Sequence, residues 1–183
     1  MPYTVTTTVF PEVHILSPKV FGDQRGYFFE SFNKKDLQKA TGLDVEFVQD
    51  NHSRSVKGVL RGLHYQLQHP QGKLVRVTQG TVYDVIVDIR RSSSNFGKWF
   101  GLELSAENKL QLWIPEGFAH GFLVTSESAE FIYKTTDYWY PEYEHSLHWN
   151  DPEIGIHWPL DIQPMISAKD ESASALELIE TFE

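Results

Sequence analysis

The sequence predicts an all-β fold, arranged as a sandwich or a barrel. Many short runs alternate apolar and polar residues with the period of a β-strand. Turn signals built around glycine recur at short spacing between these runs, and helical periodicity is confined to two short stretches. Aromatic residues make up 14% of the chain, which suits a β-rich core. Together these observations favour two packed antiparallel sheets.

The predicted strands are short near the N-terminus and longer in the middle of the chain. In order they cover residues 9–10, 13–16, 27–32, 74–78, 81–89, 110–114, 118–125 and 129–135. The runs 74–78 and 81–89 flank Gly80, which predicts a β-hairpin around a glycine turn. Further turns are expected at Gly22, Gly97 and Gly117.

Two segments carry a helical signal. Residues 34–40 predict a short helix that stops before Gly42. Near the C-terminus, residues 167–170 resemble a capping box. The following residues, 172–182, are predicted to continue as a helix with Leu176 and Ile179 on its apolar face.

Composition narrows the possible functions. The chain has 183 residues, and we expect one domain spanning residues 1–183. The net charge of −9 argues against nucleic-acid binding but leaves room for an anionic small molecule held by local arginines and lysines. With no cysteine there is no thiolate nucleophile. The lack of a long apolar run or a signal-peptide pattern predicts no membrane contact and a cytoplasmic location.

The segment Arg61-Gly62-Leu63-His64-Tyr65-Gln66 carries the first chemical signal. Histidine titrates nearest neutrality, so it can act as a base without much tuning. A nearby arginine can hold a carboxylate or a phosphate with two hydrogen bonds. The segment predicts a base beside an anion-binding group.

A second signal is Pro115-Glu116-Gly117-Phe118-Ala119-His120, which fits the Pro-x-Gly-x-x-His pattern of the cupin barrel. In metal cupins this histidine joins a His-x-His pair and a glutamate around the metal. Here Gln66 stands where the second histidine of that pair is expected. The chain therefore resembles a metal-free cupin. A cupin with a metal held by His64, His120 and a carboxylate stays open as a second interpretation.

Eight segments in sequence order match a single family. They are residues 21–30 (FGDQRGYFFE), 47–53 (FVQDNHS), 60–66 (LRGLHYQ), 71–76 (QGKLVR), 112–122 (LWIPEGFAHGF), 133–136 (YKTT), 149–152 (WNDP) and 160–170 (LDIQPMISAKD). On these motifs the chain resembles the dTDP-4-dehydrorhamnose 3,5-epimerase family from near its N-terminus to about Asp170. The resemblance implies a cupin-type double-sheet jelly roll with a few short helices, mainly near the C-terminus.

The resemblance also implies a reaction. The family inverts C3 and C5 of dTDP-4-dehydro-6-deoxy-D-glucose to give dTDP-4-dehydro-L-rhamnose, a step in dTDP-L-rhamnose biosynthesis. Both carbons flank a ketone, so acid–base proton transfer through enolates suffices and no cofactor or metal is expected. The resemblance further implies a homodimer that exchanges N-terminal strands, so that Arg25 or Glu30 could serve the partner's site.

Four residues match catalytic positions of the family. His64 matches the base, and Asp170 matches the carboxylate that orients it. Tyr133 matches the acid on the opposite face, since a phenol is protonated at neutral pH. Lys73 matches a cation near the developing enolate oxygen. Without the resemblance, Asp170 fits equally well as a member of the capping box.

Further residues match substrate-binding positions. Arg25 and Arg61 match a diphosphate clamp, and the remaining positions surround the nucleotide or the sugar: Glu30, Gln49, Asp50, Asn51, His120, Tyr138, Trp139, Glu144 and Lys169.

One position departs from the family pattern. Members often carry two adjacent tyrosines five and six positions after the acid, whereas this chain has Tyr138 and Trp139. A continuing strand would place Trp139 on the same side as Tyr133. The change leaves open an epimerase that inverts only C3 or only C5. The sequence is also compatible with a non-catalytic cupin that binds a nucleotide sugar and with a metal-dependent cupin.

Overall fold

The structure, a computed structural model, describes residues 2–161 and 163–183. Strands dominate it, as the sequence predicts. They are β1 (Thr4–Thr7), β2 (His14–Ser17), β3 (Phe21–Asp23), β4 (Gly26–Phe28), β5 (Gln49–Val56), β6 (Leu60–Gln66), β7 (Lys73–Gln79), β8 (Thr81–Asp88), β9 (Trp99–Ser105), β10 (Gln111–Ile114), β11 (Phe118–Val124), β12 (Ser128–Thr135) and β13 (Glu144–Ser146). The helices are α1 (Lys34–Thr41), α2 (Ala168–Glu171) and a 3-10 turn (Pro141–Tyr143).

Two large sheets face each other. One has six strands in the order β1-β2-β10-β7-β12-β5, and the other has five in the order β13-β6-β11-β8-β9. Neighbouring strands pair antiparallel throughout both sheets. Strands β3 and β4 form a separate ribbon. The predicted all-β, double-sheet jelly roll is confirmed.

The main core fills the space between the two sheets. Phe131 of β12 and Phe122 of β11 stack with ring centroids 4.2 Å apart, and Phe131 is fully buried. Val75 and Ile86 pack into the same cluster from the two sheets. Burying each such large side chain contributes about 1.5–3 kcal/mol. The alternation of β12 places its apolar side chains inward, which is why the pattern predicted this strand well.

Both large sheets are also covered on an outer face. Residues of the C-terminal region, among them Leu147, Ile156 and Leu176, pack on Leu63 and Val87 of the five-stranded sheet. Helix α1 covers part of the six-stranded sheet with Leu37, which joins Leu16, Leu74 and Trp113. Strands β8 and β11 are therefore buried on both faces, and their sequences read as nearly continuous apolar runs.

The predicted hairpin around Gly80 is wrong. Strands β7 and β8 follow each other closely in sequence but belong to different sheets. Gly80 has a φ of +73°, and the chain crosses there from the six-stranded to the five-stranded sheet. The alternation in 74–78 and 81–89 shows that each strand has one apolar face. It does not show whether the two strands pair side by side in one sheet or face each other across the core.

The two helical predictions have different outcomes. Helix α1 is confirmed: Asn33 caps its N-terminus, and Gly42, with a φ of +78°, caps its C-terminus. Ser167 caps α2 by accepting a hydrogen bond from the Asp170 N–H at 3.1 Å.

The predicted helix at 172–182 is wrong, because α2 ends at Glu171. The backbone beyond it bonds to other parts of the fold instead: the Leu176 N–H donates to the carboxylate of the buried Asp151 at 2.7 Å, and Ser174 bridges to Leu147. These partners satisfy backbone groups that a helix would otherwise satisfy internally.

Among the N-terminal predictions, residues 9–10 lie outside any strand, and of residues 27–32 only the first two lie in β4. In the described part of the chain, neither helix is long and apolar enough to cross a membrane.

Replacing Gly80 with alanine tests the crossing between the sheets. A Cβ at Gly80 would lie 1.9 Å from the carbonyl oxygen of Ser128 in a left-handed backbone conformation. We expect Gly80→Ala to lower the free energy of unfolding by about 2–4 kcal/mol, measured by urea denaturation. Gly42→Ala is the matched control, since Gly42 shares the positive φ but its Cβ would meet nothing within 4 Å. It should cost about 1 kcal/mol. Equal losses for both variants would contradict this interpretation.

Candidate active site

A cavity of about 380 Å³ opens between the two sheets. Both sheets and the loop after β12 contribute side chains to it. The lining residues are Gln49, Asn51, His52, Ser53, Arg61, His64, Gln71, Lys73, His120, Gly121, Phe122, Phe131, Tyr133, Trp139 and Glu144. Most residues singled out in the sequence therefore meet in one place.

His64 and Asp170 form a close pair at one wall. The His64 Nε2 lies 2.6 Å from Oδ1 of Asp170, and the other carboxylate oxygen accepts the Gly62 N–H at 3.3 Å. Burial opposes ionisation of Asp170, but the hydrogen bonds from His64 and Gly62 outweigh it and hold the pKa of the carboxyl below its usual value. Because Nε2 is engaged, Nδ1 is the ring nitrogen left for other partners; Oε1 of Glu144 lies 4.0 Å from it.

Tyr133 lies on the facing wall. It belongs to β12 of the six-stranded sheet, whereas His64 belongs to β6 of the five-stranded sheet. Burial and the negative charge of Glu144 raise the pKa of the Tyr133 phenol above its usual value, while Arg61 opposes the shift. The phenol is therefore protonated at neutral pH and can donate a proton.

Lys73 is a partly buried cation that lines the cavity. Burial lowers the pKa of its ammonium to about 8, and the negative charges of Glu144 and Asp84 limit the fall. At neutral pH most of the molecules keep this charge. An ammonium held in a desolvated cavity interacts strongly with any negative charge that develops nearby.

A second histidine–carboxylate pair lies at the cavity wall, where His120 is part of the lining. Nε2 of His120 is 2.9 Å from Oδ2 of Asp84, and both residues are buried. Burial raises the pKa of Asp84, and His120 opposes that shift. His120 pairs with His64 across β11 and β6, so the two imidazoles are neighbours in one sheet.

Five predicted substrate-binding residues do not line the cavity of this chain. Asp50 follows Gln49 on β5, so it points to the outer face of the sheet and binds Lys134 at 2.8 Å. Arg25 is exposed in the β3–β4 ribbon and pairs with Asp23. Glu30 accepts a hydrogen bond from Asn33 at 3.3 Å. Tyr138 is exposed on the loop after β12. Lys169 is joined to the cavity through an ion pair with Glu144.

Trp139 reaches the cavity for a different reason than predicted. Strand β12 ends at Thr135, so strand alternation does not place this residue. Instead the loop after β12 turns back over the cavity mouth, and the Trp139 N–H donates to Oε1 of Gln49 at 3.0 Å. The indole lines the cavity while remaining 53% exposed.

Sequence reasoning missed several residues at the site, including Asp84, Ser53 and Gln71. Asp84 could have been identified, because it is a carboxylate inside the apolar run 81–89, and a buried charge needs a partner. Ser53 follows from alternation with Gln49 and Asn51 along β5. Gln71 precedes β7; it stands in the family motif 71–76, but no alternation pattern marks it as a site residue.

The described residues do not favour a metal centre. Within 2–161 and 163–183 no three histidine, aspartate or glutamate side chains are grouped to hold a metal ion. His64 and His120 each direct Nε2 at a carboxylate of their own. Each carboxylate therefore fixes the orientation of its imidazole ring.

Comparison with known proteins places the chain in a family. The sequence pattern described as dTDP-4-dehydrorhamnose 3,5-epimerase matches residues 7–177. A relative of that name from Pseudomonas aeruginosa is 59% identical over 170 residues, covering 93% of this chain and 94% of the relative. The chain belongs to the dTDP-4-dehydrorhamnose 3,5-epimerase family.

Solved structures of the family share the fold. The dTDP-6-deoxy-D-glucose-3,5-epimerase of Legionella pneumophila, in complex with dTDP-4-keto-L-rhamnose, is 54% identical with a TM-score of 0.95 and covers 97% of this chain and 95% of that one. A 3'-monoepimerase from Streptomyces bikiniensis, in complex with dTDP-quinovose, is 32% identical with a TM-score of 0.88 and covers 93% and 87%. The fold thus occurs in both double and single epimerases.

Glu144→Gln tests the electrostatics of the cavity. The charge of Glu144 raises the pKa of Lys73, so its removal should lower that pKa below about 8. The measurement is an NMR titration of lysine Nζ signals, with the Lys73 signal identified by its loss in Lys73→Arg. Glu103→Gln, which removes an exposed carboxylate on β9, is the control and should leave the value unchanged. An unchanged or raised pKa in Glu144→Gln would refute the assignment.

Proposed function

We propose that His64, Tyr133, Lys73 and Asp170 carry out the reaction of this family, the inversion of C3 and C5 in dTDP-4-dehydro-6-deoxy-D-glucose to give dTDP-4-dehydro-L-rhamnose. The observation that carries the proposal is the placement of an imidazole and a protonated phenol on facing walls of one cavity. Inversion at carbon needs a proton removed from one face and delivered to the other.

The proton transfers balance without a cofactor. His64 takes the proton from C3 or C5, and the electron pair of the broken C–H bond moves into the enolate with its charge on the C4 oxygen. Tyr133 then donates its phenolic proton to the opposite face of the same carbon, and the ketone re-forms. The enzyme returns to its starting state when the imidazolium loses a proton and the phenolate gains one. Asp170 orients His64 and stabilises its charged form.

Lys73 is proposed to stabilise the enolate oxygen. Its ammonium, largely protonated at neutral pH, is partly desolvated and therefore strongly attracts a developing oxyanion. His120 is proposed to contact the sugar from the neighbouring strand, with Asp84 holding its ring in place.

The nucleotide is proposed to lie at the cavity mouth. Arg61 faces the cavity with its Nε held by Ser55 Oγ at 3.0 Å, which leaves its terminal nitrogens for the diphosphate. Gln49 and Asn51 offer amide groups beside it, and the half-exposed indole of Trp139 offers a planar surface for the base. Glu144 and Lys169 then form a charged edge near the sugar, and Tyr138 borders the outer part of the site.

A homodimer is proposed to complete the site. The β3–β4 ribbon pairs with no other strand of the described chain and exposes Tyr27 (61%) and Phe28 (64%). Such exposed aromatic side chains fit a protein interface. Strand β5 is the open edge of the six-stranded sheet beside the cavity. A ribbon exchanged between subunits could cover that edge and bring Arg25 and Glu30 to the partner's nucleotide.

A cytoplasmic location is proposed for the enzyme. Nucleotide-sugar synthesis in the cytoplasm would supply the substrate. The chain has no cysteine and therefore none of the disulfides that are common in oxidising compartments.

An epimerase acting on one carbon is the second candidate. Trp139 favours it, because the indole occupies the mouth where family members often have a phenol, and a 3'-monoepimerase shares the fold. This candidate uses the same base and acid and differs only in how the sugar is seated.

Incubation of the 4-keto sugar nucleotide in deuterated water decides between the candidates. We expect deuterium at both C3 and C5, measured by NMR. The rate of formation of the epimerised product should fall about 100-fold or more in Tyr133→Phe and Asp170→Asn. Tyr83→Phe, on the far side of the five-stranded sheet, is the matched control and should form product at the normal rate. Label at one carbon alone would establish the single epimerase, and no label in the wild type would reject both.

Phe28→Asp tests the proposed dimer. A charge on the exposed face of β4 should shift the protein from dimer to monomer in sedimentation velocity and weaken dTDP binding. Val9→Asp is the control, because Val9 is 67% exposed but lies beside Phe96 and Trp99 and not on the ribbon. This variant should remain dimeric. A monomeric wild type, or a Phe28→Asp dimer with normal affinity, would rule out ribbon exchange.

A further inference from the structure

Gln66 has an unusual set of partners for a residue that does not line the cavity. It ends β6, two positions after His64, and is only 3% exposed. Its Nε2 donates to the carbonyl oxygens of His69 at 2.7 Å and Tyr138 at 3.1 Å, and its Oε1 accepts the Tyr140 N–H at 2.8 Å. One buried side chain thus ties two separate loops together.

These partners suit only a neutral amide. Two carbonyls need two donors, and one N–H needs an acceptor, which is the hydrogen-bonding pattern of the glutamine side chain. A carboxylate of nearly the same shape could accept from Tyr140 but could not donate to His69 or Tyr138. Leaving buried carbonyls without donors is costly, so the position depends on the identity of the residue as well as its size.

Trp139 lies between Tyr138 and Tyr140, two of the three residues that Gln66 binds. Its own N–H binds Gln49, and the carbonyl of Asp137 accepts a hydrogen bond from Nε2 of Gln71 at 2.9 Å. Three glutamine side chains therefore hold four consecutive residues, 137–140.

Hydrogen bonds, rather than packing, fix this loop. Tyr138 is 54% exposed and Trp139 is 53% exposed, so burial of these side chains contributes little to its position. The Tyr140 ring does pack on His69, with centroids 4.5 Å apart, and His69 is itself a partner of Gln66. Gln66 is thus the point where the loop's contacts converge.

We propose that Gln66 is a positioning residue that holds the 137–140 loop so that the Trp139 indole stays at the cavity mouth, and that it thereby sets the affinity for the nucleotide part of the substrate. The inference rests on the proposed function, in which Trp139 contacts the nucleotide. Its effect falls on binding, because the Gln66 side chain makes no hydrogen bond to His64, Tyr133 or Lys73 within the described chain.

Gln66→Glu is the variant that tests the proposal, since it keeps the shape and the acceptor and removes both donors. We expect the Kd for dTDP, measured by calorimetry, and the KM for the sugar nucleotide to rise about tenfold. The kcat for deuterium exchange should stay within about threefold of the wild type, which is the signature of lost uniform binding. Should this variant fail to fold, Gln66→Met, which adds no buried charge, replaces it.

A double-mutant cycle tests whether Gln66 acts through Trp139. Trp139→Ala alone should weaken dTDP binding, and adding Gln66→Glu to it should change the Kd less than about twofold. Additive losses would overturn the proposal, because they would show that Gln66 affects binding independently of the indole.

Gln111→Glu is the matched control for general destabilisation. Gln111 is also a fully buried glutamine, donating to the Ser31 carbonyl at 2.8 Å, but it lies on β10 outside the cavity. Its Kd for dTDP and its KM should match the wild type. The inference is overturned if Gln111→Glu weakens binding as much as the Gln66 variant, if a folded Gln66 variant binds dTDP normally, or if only kcat falls. A wild type that binds dTDP but exchanges no proton would reject the proposed function alone.

Discussion

The contact between Phe122 and Phe131 is the constraint on which the site depends. These rings stack 4.2 Å apart across the two sheets, and they line the cavity on one side while facing the core on the other. His120 lies two positions before Phe122 on β11, and Tyr133 two positions after Phe131 on β12. Each strand thus places one side chain in the core and the next inward-facing one in the cavity. The packed pair fixes the separation of the walls, and that separation fixes how far the proposed base stands from the proposed acid.

The cavity holds positive charge, although the chain as a whole is negatively charged. The protein carries a net charge of −9, yet Arg61 and Lys73 both face the same small space. Each buried carboxylate near them has a specific partner: Asp170 has His64 and Asp84 has His120. Pairing of this kind limits the cost of burying ionised groups, and it also leaves the cations available to an anionic ligand. The pKa of Lys73 is nevertheless lowered, because removing an ammonium from water disfavours its charged form.

Local sequence patterns predicted those features of the fold and the site that depend on residue alternation and motif spacing. Runs that carry their own signal predicted β2, β7, β8, β10, β11, β12 and the first helix, and motifs of the family predicted the meeting of His64, His120 and Tyr133. Strands β5 and β9 lie outside the predicted runs. The errors arise where distant contacts decide. Gly80 looks like a hairpin turn until the chain is seen to change sheets, and residues 172–182 look helical until Asp151 takes the Leu176 N–H. Trp139 reaches the cavity through a loop whose course no alternation rule describes.

Gln66 stands where metal cupins have the second histidine of their His-x-His pair, and it also affects the shape of the cavity mouth. In a metal cupin this position of the strand would supply a ligand, and its side chain would then be committed to the ion. Here the same inward position carries an amide whose three hydrogen bonds all go to the backbone of neighbouring loops. An imidazole has two ring nitrogens, so it could not make these three contacts. A residue at this position can therefore ligate a metal or hold the loop, but not both. The glutamine that removes a metal ligand from the strand is also the residue that closes the rim of the proposed nucleotide site.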